Sequence, residues 1–415
     1  MFGSPARSRL LPMSLPFRYF GAAVVFQIAA WLVLLLNTQD LNSFEGGLGP
    51  VFAALHLLTL GVLAMTAVGA TLQLLPVATR QPVRSLGAAR LVWWLLVPAT
   101  ALFAAGAAAY APRVMAPGAA LAVLALAIFA WLFFRNLQGA RGMKVIVAHG
   151  WAALACLVAL AATGLVLAMR YEHGIALDHA AFRAAHLVLA CYGFMGLLAM
   201  GLAQLLLPMF AVAPPPQARA AYAGLAAAIT GIILATAGFI LPAALAGLAA
   251  AVTHVVSMER SLRARLRPEL GPAFLLVRVS WACLIASLGL AGLMALDLAP
   301  PRAAVLFGAL LVPGWLLSFL LGVMQRIVPF LASMHAAAGH VTPLTPVRTL
   351  AVHRVLHLAA LAALLLGIYL NKSWLVSAGA AAGLAAAAAF GVFFTQVISR
   401  SRKLGIQSPH QPAPA

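Results

Sequence analysis

The chain has 415 residues, of which 64% are hydrophobic and only 8% are charged. Apolar runs of about 18 residues or more recur along its length, which excludes a water-soluble globular fold and indicates membrane-spanning helices. The formal net charge of +19 comes from Arg and Lys in short connecting segments, with Asp and Glu almost absent, so it does not indicate a nucleic-acid partner. The sequence therefore predicts an all-α integral membrane protein.

The hydropathy pattern predicts twelve membrane-spanning helices, which form one membrane domain over residues 1–403. Residues 404–415 follow as a Pro- and Gln-containing tail that is predicted to be disordered. The seventh and eighth spans are the least clearly separated, because only Leu241 and Pro242 mark a turn between them. The predicted spans are 17–37, 49–76, 87–110, 116–134, 144–169, 181–212, 218–238, 240–258, 272–296, 302–331, 348–370 and 374–398.

Basic residues alternate from one side of the predicted membrane to the other. Arg and Lys cluster before the first span, after the second, fourth and eighth spans, around the start of the eleventh and after the twelfth. The positive-inside rule makes that side cytoplasmic. We therefore expect both termini in the cytoplasm and the chain in the lipid of a bacterial inner (plasma) membrane. The opposite loops hold only Arg113, Arg170, Arg183, Arg302 and Lys372.

Three stretches share a pattern that ends in Pro, and they fall on the second, sixth and tenth predicted spans. A Gly lies seven residues before each Pro, and a Gln lies three or four residues before it. The three Pro are 132 and 121 residues apart, which predicts three four-helix pseudo-repeats over about 17–134, 144–258 and 272–398. The Gly are predicted to permit close helix approach, and the Pro to end or kink the helices. The motif residues are Gly69, Gln73 and Pro76, then Gly201, Gln204 and Pro208, then Gly322, Gln325 and Pro329.

His56 and His186 stand at the head of the first two copies, and both are predicted to lie in the outer third of the membrane. An ionisable residue inside a membrane is costly and marks a functional site by default. Neutral imidazole is a ligand for heme iron and for other metals. The alternative is a histidine that is hydrogen-bonded to a neighbouring backbone carbonyl, and the residues alone leave both interpretations open.

His353 and His357 have the i, i+4 spacing that places two imidazoles on one face of a helix, where they can bind a metal. No carboxylate or Cys accompanies them, and Arg354 between them favours the alternative of a helix start at the membrane surface. His149 and His254 are likewise predicted to be interfacial. The seven acidic residues all fall in loops or at span ends, whereas ion-coupled carriers place a carboxylate at mid-membrane.

These features resemble subunit I of the heme–copper oxidase superfamily, and its nitric oxide reductase large subunit in particular over the second span. The resemblance implies twelve helices in three units, a heme b whose iron is held by His56, and His186 as the rough counterpart of a copper ligand. Lys372, in an outer loop, is then expected to meet heme propionates. The segment 325–330, Gln-Arg-Ile-Val-Pro-Phe, is also similar to a His-Arg-x-Ile-Pro-Phe segment of NnrS-type membrane proteins, which are heme-containing relatives linked to nitric oxide metabolism.

The chain departs from the oxidase pattern at the metal centre. That family's seventh and tenth spans carry metal-ligating His, whereas residues 218–239 and 305–332 contain none. We therefore expect a heme-binding protein linked to respiratory or nitric-oxide redox chemistry, with copper as a further possible metal and without a complete oxygen-reducing centre. Its catalytic residues are not identified, and another redox subunit or a cytochrome is a candidate partner.

Two alternatives stay open. One is a multi-span transporter or permease for a metal, heme or a small apolar solute, since internal repeats are common in that class as well. The other is a non-catalytic membrane partner of another redox subunit. Three parallel repeats, rather than two inverted ones, favour the oxidase-like interpretation over the transporter.

Overall fold

The structure is a computed structural model that describes residues 11–175, 178–335 and 341–406. Within those residues, twelve helices are long and apolar enough to cross a membrane and no strand occurs, which confirms the predicted fold class. The last helix continues to Ile406, three residues into the predicted tail, and 407–415 lie outside the described residues. The helices are α1 Ser14–Leu36, α2 Pro50–Thr79, α3 Leu86–Ala108, α4 Pro112–Gln138, α5 Lys144–His173, α6 His179–Ala211, α7 Ala218–Thr236, α8 Ile240–Arg263, α9 Ala273–Ala295, α10 Ala303–Met334, α11 Val347–Leu370 and α12 Ser373–Ile406.

Local sequence signals explain several helix ends. Ser85 caps α3 by accepting a hydrogen bond from the Ala88 amide at 3.1 Å, and Asp178 caps α6 in the same way through Ala181. The turn between α7 and α8 lies at Gly238, whose φ of 88° favours glycine. Pro242 belongs to the first turn of α8, where its missing N–H costs little. The turn therefore lies before Leu241 and Pro242, the two residues that indicated it in the sequence.

Consecutive helices alternate in direction, so the helix ends form two layers. We call the layer that contains the start of α1 and the end of α12 the termini side, and the other layer the opposite side. Helices α2, α6 and α10 occupy the middle of the bundle, where α10 contacts both of the others. In the apolar windows of α2, α6 and α10, 72%, 72% and 56% of residues are buried, against 22% in α7. The helices that carry the repeated motif are therefore central.

Each central helix contains an eight-residue π-helical segment: Leu57–Ala64 in α2, Leu189–Gly196 in α6 and Leu310–Leu317 in α10. Each segment ends twelve residues before the Pro of its motif. π-Helical turns are rare and occur often at functional sites. The grouping of the chain into three four-helix units stays a prediction, and this shared register agrees with it.

The three motif glycines lie where a neighbouring helix approaches closely. A Cβ on Gly69 would lie 2.7 Å from the Tyr19 Cβ in α1, and a Cβ on Gly201 would lie 2.6 Å from the His149 Cβ in α5. A Cβ on Gly322 would lie 3.1 Å from a backbone oxygen of α9. The prediction of close helix approach is confirmed. The motif prolines lie inside the last turns of their helices, which continue beyond them.

Candidate functional site

A large cavity lies among the central helices, in the half of the bundle towards the opposite side. Its volume is about 1110 Å³, slightly above the roughly 300–1,000 Å³ of ordinary small-molecule pockets. Residues 44–47, before α2, and Gly238, Ile240, Leu241 and Pro242, at the turn between α7 and α8, line its end on the opposite side. One wall, from α2, α5 and α6, carries histidines, Tyr171 and Arg183, whereas the wall from α7 to α10 is almost wholly apolar.

His56 projects from α2 into this cavity. Its Nδ1 lies 3.0 Å from the Phe52 carbonyl oxygen, and because a carbonyl only accepts, Nδ1 carries the ring proton. Nε2 therefore keeps its lone pair. The ring lies between Phe52 and Phe103, with centroid distances of 4.2 and 4.8 Å. The neighbouring-carbonyl interpretation is thus correct for one nitrogen, and it leaves the other in the form that binds metals.

His186 projects from α6 into the same cavity and has the same arrangement. Its Nδ1 lies 3.3 Å from Thr163 Oγ1, and the Thr163 hydroxyl donates to the Ala159 carbonyl at 3.0 Å. The hydroxyl oxygen therefore accepts from Nδ1, and His186 Nε2 keeps its lone pair. Gly164 makes room for the ring, since a Cβ there would lie 3.0 Å from His186 Cε1.

The two cavity histidines do not hold equivalent positions in the repeat. His56 lies 20 residues before Pro76, whereas His186 lies 22 residues before Pro208. The residue of α6 in the register of His56 is Val188. The pairing of the two rings therefore follows from the cavity that both helices border and is not a product of repeat symmetry.

His179 and Arg183 also line the cavity, and the sequence did not single them out as site residues. His179 lies two residues before the predicted sixth span, whereas α6 begins at this residue. Its ring centroid lies 5.7 Å from that of Tyr171. Its Nδ1 is buried without a hydrogen-bond partner in the described part of the chain. Arg183 donates from Nη1 to the Glu45 carbonyl oxygen at 2.8 Å. The spacing of residues 179, 183 and 186 could have identified them from the sequence, because it places all three side chains on one helix face.

Lys372 lies in the exposed turn between α11 and α12. It is absent from the residues that line the cavity, and the structure does not bring it together with His56 or His186. Its backbone amide bonds the Gly367 carbonyl at 2.9 Å and so helps to end α11. Its contact with heme propionates stays a prediction, and Arg183 is the basic residue that borders the cavity directly.

His353 and His357 share one face of α11, as predicted, but both are buried, with 0% and 1% of their surface exposed. This burial is lateral, against neighbouring helices, so the position of the helix start at the membrane surface stays a prediction. His353 Nδ1 lies 3.0 Å from Gln325 Nε2, and His357 Nε2 lies 2.8 Å from Ser318 Oγ. Neither ring lines the cavity. Residues of α10 hold both rings in the packed interior.

His149 and His254 are also buried against neighbouring helices, with 3% and 7% of their surface exposed, and their position near the membrane interface stays a prediction. Within the described residues, no three or more His, Cys, Asp or Glu side chains come together in a group that could hold a metal ion. A metal that used His56, His186 or the α11 pair would need donors from another molecule. A porphyrin supplies such donors.

A comparison of the chain with known protein families and with curated proteins finds no match.

Proposed function

We propose that the chain is a heme-binding membrane protein in which His56 is the iron ligand, with a role in respiratory or nitric-oxide redox chemistry. The observation that carries the proposal is the His56 ring, which the Phe52 carbonyl holds at 3.0 Å while its Nε2 keeps a lone pair on a cavity of about 1110 Å³. Heme-ligating imidazoles are oriented in this way by an acceptor on the other ring nitrogen.

The residues around the cavity fit such a group. Phe52 and Phe103 hold the His56 ring in place, and the apolar wall from α7 to α10 excludes water from the ligand's face. His186 would be a second ligand to the iron or a ligand to copper, and Arg183 at the rim suits a carboxylate. A bound heme would supply electron transfer or the binding of a diatomic gas, with a potential set by its ligand and burial.

The same cavity supports a second candidate function, that of a permease for a small apolar solute. It lies in one half of the bundle and most of its lining is apolar, as suits a binding site for a small apolar solute that is reached from one side of a membrane. In both proposals the termini side faces the cytoplasm of a bacterium, because the basic residues cluster in its loops.

The visible spectrum of the purified protein, reduced minus oxidised, tests the heme proposal. We expect a b-type band in the wild type. His56→Ala should abolish its low-spin form, because the substitution removes the axial ligand. His186→Ala tests the second ligand, and loss of the same band in both variants would indicate shared ligation. His254→Ala, a buried histidine outside the cavity lining, is the control and should leave the band unchanged.

A colourless protein that is free of iron and copper, purified from cells with ample heme, would contradict the heme proposal. The permease would then be the better interpretation. A heme band that survives His56→Ala unchanged would instead contradict the assigned ligand.

A further inference from the structure

A column of polar side chains runs through the apolar interior along α11. Thr349, His353 and His357 follow one another at four-residue spacing and so occupy one face of the helix. Each is bonded to a polar residue of a neighbouring helix. Thr349 Oγ1 donates to Gln396 Oε1 at 2.9 Å, and the two rings bond the α10 residues described above. We call these residues the polar column: Thr349, His353, His357, Gln396, Gln325 and Ser318.

The hydrogen bonds fix the protonation of both rings. The Ser318 hydroxyl donates to the Pro313 carbonyl oxygen at 3.0 Å, so its oxygen accepts from His357 Nε2, and the lone pair of this ring lies on Nδ1. The Gln325 amide donates from Nε2 to His353 Nδ1, so the ring proton of His353 lies on Nε2. These assignments follow from the bonding partners.

The remaining nitrogen of each ring could pair with that of the other, since one is a hydrogen-bond donor and the other an acceptor. His353 Nε2 is a donor and His357 Nδ1 is an acceptor, and both are buried without a hydrogen-bond partner in the described part of the chain. The rings are nearly parallel, with an interplanar angle of 16° and centroids 5.9 Å apart. A polar pair that served only to join helices would be expected to satisfy both nitrogens. Here an unpaired donor on one ring is followed by an unpaired acceptor on the next.

The column connects the termini side with the cavity. Thr349 lies in the first turn of α11, at the termini side, and the Thr349–Gln396 bond is only partly buried. His357 is about 12 Å further along the helix at 1.5 Å per residue. Its partner Ser318 lies at the middle of α10 and bonds Pro313, which lines the cavity. No carboxylate lies in the middle of any described span, so these histidines are the titratable groups available on this route.

We propose that the polar column conducts protons between the termini side and the cavity. A proton from water at the Thr349 end first binds His353 Nδ1, once the Gln325 amide has turned away from that nitrogen, and makes the ring an imidazolium. The His353 Nε2 proton then passes to His357 Nδ1, through one intervening water molecule or a ring rotation. The His357 Nε2 proton passes to Ser318 Oγ, whose own proton moves to water in the cavity. One proton enters and one leaves, no heavy-atom bond changes, and rotation of the rings restores the starting state.

Proton uptake into vesicles tests this path and does not depend on a bound heme. The full chain is reconstituted into liposomes that contain a pH-sensitive dye, and a potassium gradient with valinomycin imposes a membrane potential. We expect wild-type vesicles to take up protons faster than protein-free vesicles. His357→Phe should lower the protein-dependent rate by about tenfold or more, because it removes both the acceptor and the donor. Ser318→Ala should lower it while both rings remain. His254→Phe, a buried histidine outside the column, should not change it.

A wild-type rate equal to that of protein-free vesicles would overturn the proposal. So would a rate that His357→Phe and Ser318→Ala leave unchanged while both variants insert normally. If His357→Phe does not insert, Ser318→Ala decides, since it retains both imidazoles and removes only the hydroxyl at the cavity end of the path. Binding of copper or zinc by the wild type, lost on replacement of His353 or His357 and with no change in proton flux, would assign the pair to a metal site instead.

Discussion

His56 and His186 each donate from one ring nitrogen to an acceptor of the protein. For His56 the acceptor is a backbone atom, and for His186 it is a side chain. His56 uses a backbone carbonyl one turn earlier in its own helix, whereas His186 uses the Thr163 hydroxyl of a neighbouring helix. A backbone acceptor survives any side-chain substitution, but the Thr163 hydroxyl can be removed. The orientation of His186 is therefore open to direct test.

Thr163→Val removes the hydroxyl acceptor of His186 Nδ1 with little change in side-chain size and leaves the Leu160 carbonyl as the backbone partner of the ring. A hydrogen bond contributes about 0.5–1.5 kcal/mol, so we expect modestly lower thermal stability in detergent and any His186-dependent spectral feature to be shifted. Thr236→Val is the matched control, because the Thr236 hydroxyl bonds only carbonyls of its own helix, at 3.0 and 2.9 Å. Equal stability of the two variants would contradict the assigned role of Thr163.

The π-helical segments of α2, α6 and α10 affect the directions in which the side chains of these helices point. A π-helical segment contains more residues per turn than an α-helix, so it changes the direction in which the preceding residues point. In α2 the segment begins directly after His56. The direction in which the His56 side chain points, relative to the part of α2 that contains Pro76, therefore depends on the π-helical residues Leu57–Ala64.

Deletion of Leu60 within the π-helical segment of α2 is expected to restore an α-helical register. The part of α2 before the deletion then turns by about 100° relative to the rest, and residue 56 leaves the cavity. The measurement is maleimide labelling of His56→Cys in a background whose three native Cys are Ala, with and without the deletion. Deletion of Gly47, in the loop before α2 where a Cβ would meet nothing within 4 Å, is the control. Equal labelling in all three chains would show that the segment does not orient residue 56.

Hydropathy was sufficient to predict the twelve spans, because a membrane helix must be continuously apolar and its ends carry caps and charges. It was not sufficient for His353 and His357, since Arg354 beside them is typical of a membrane surface, whereas their burial depends on Gln325 and Ser318 of another helix. The π-helical segments were also unpredictable, because their residues are as apolar as the α-helix on either side. Arg183 could have been found from its spacing to His179 and His186.

The molecule is asymmetric from one end of the bundle to the other, with basic loops on the termini side and the cavity in the half towards the opposite side. Glu259 and Arg278 form a bidentate ion pair near the termini side, at 2.7 and 2.9 Å. From the charges in the loops we expect the termini side to face the cytoplasm, which would place the cavity in the outer half of the membrane.

Reporter fusions test this orientation. Fusions at Leu86 and Leu262, which lie on the termini side, should read as cytoplasmic. Fusions at Pro112 and Ile175, on the opposite side, should read as external. The expectation follows from the positive-inside rule applied to the loops of the observed helices. Swapped readings at any two positions would contradict the orientation and would place the cavity in the cytoplasmic half of the membrane.

Helix α1 packs against α12, and the rings of Phe17 and Phe394 lie 5.5 Å apart. The ribosome makes α1 well before α12, because Ser373 lies 337 residues after Leu36 (373 − 36). Trp31 of α1 packs against Gly383 of α12, so this face of α1 lacks its partner until α12 has been made. Closure of this interface is therefore a late step in assembly. A chain that stops before α12 would present the α1 face as a ready surface for quality-control proteases.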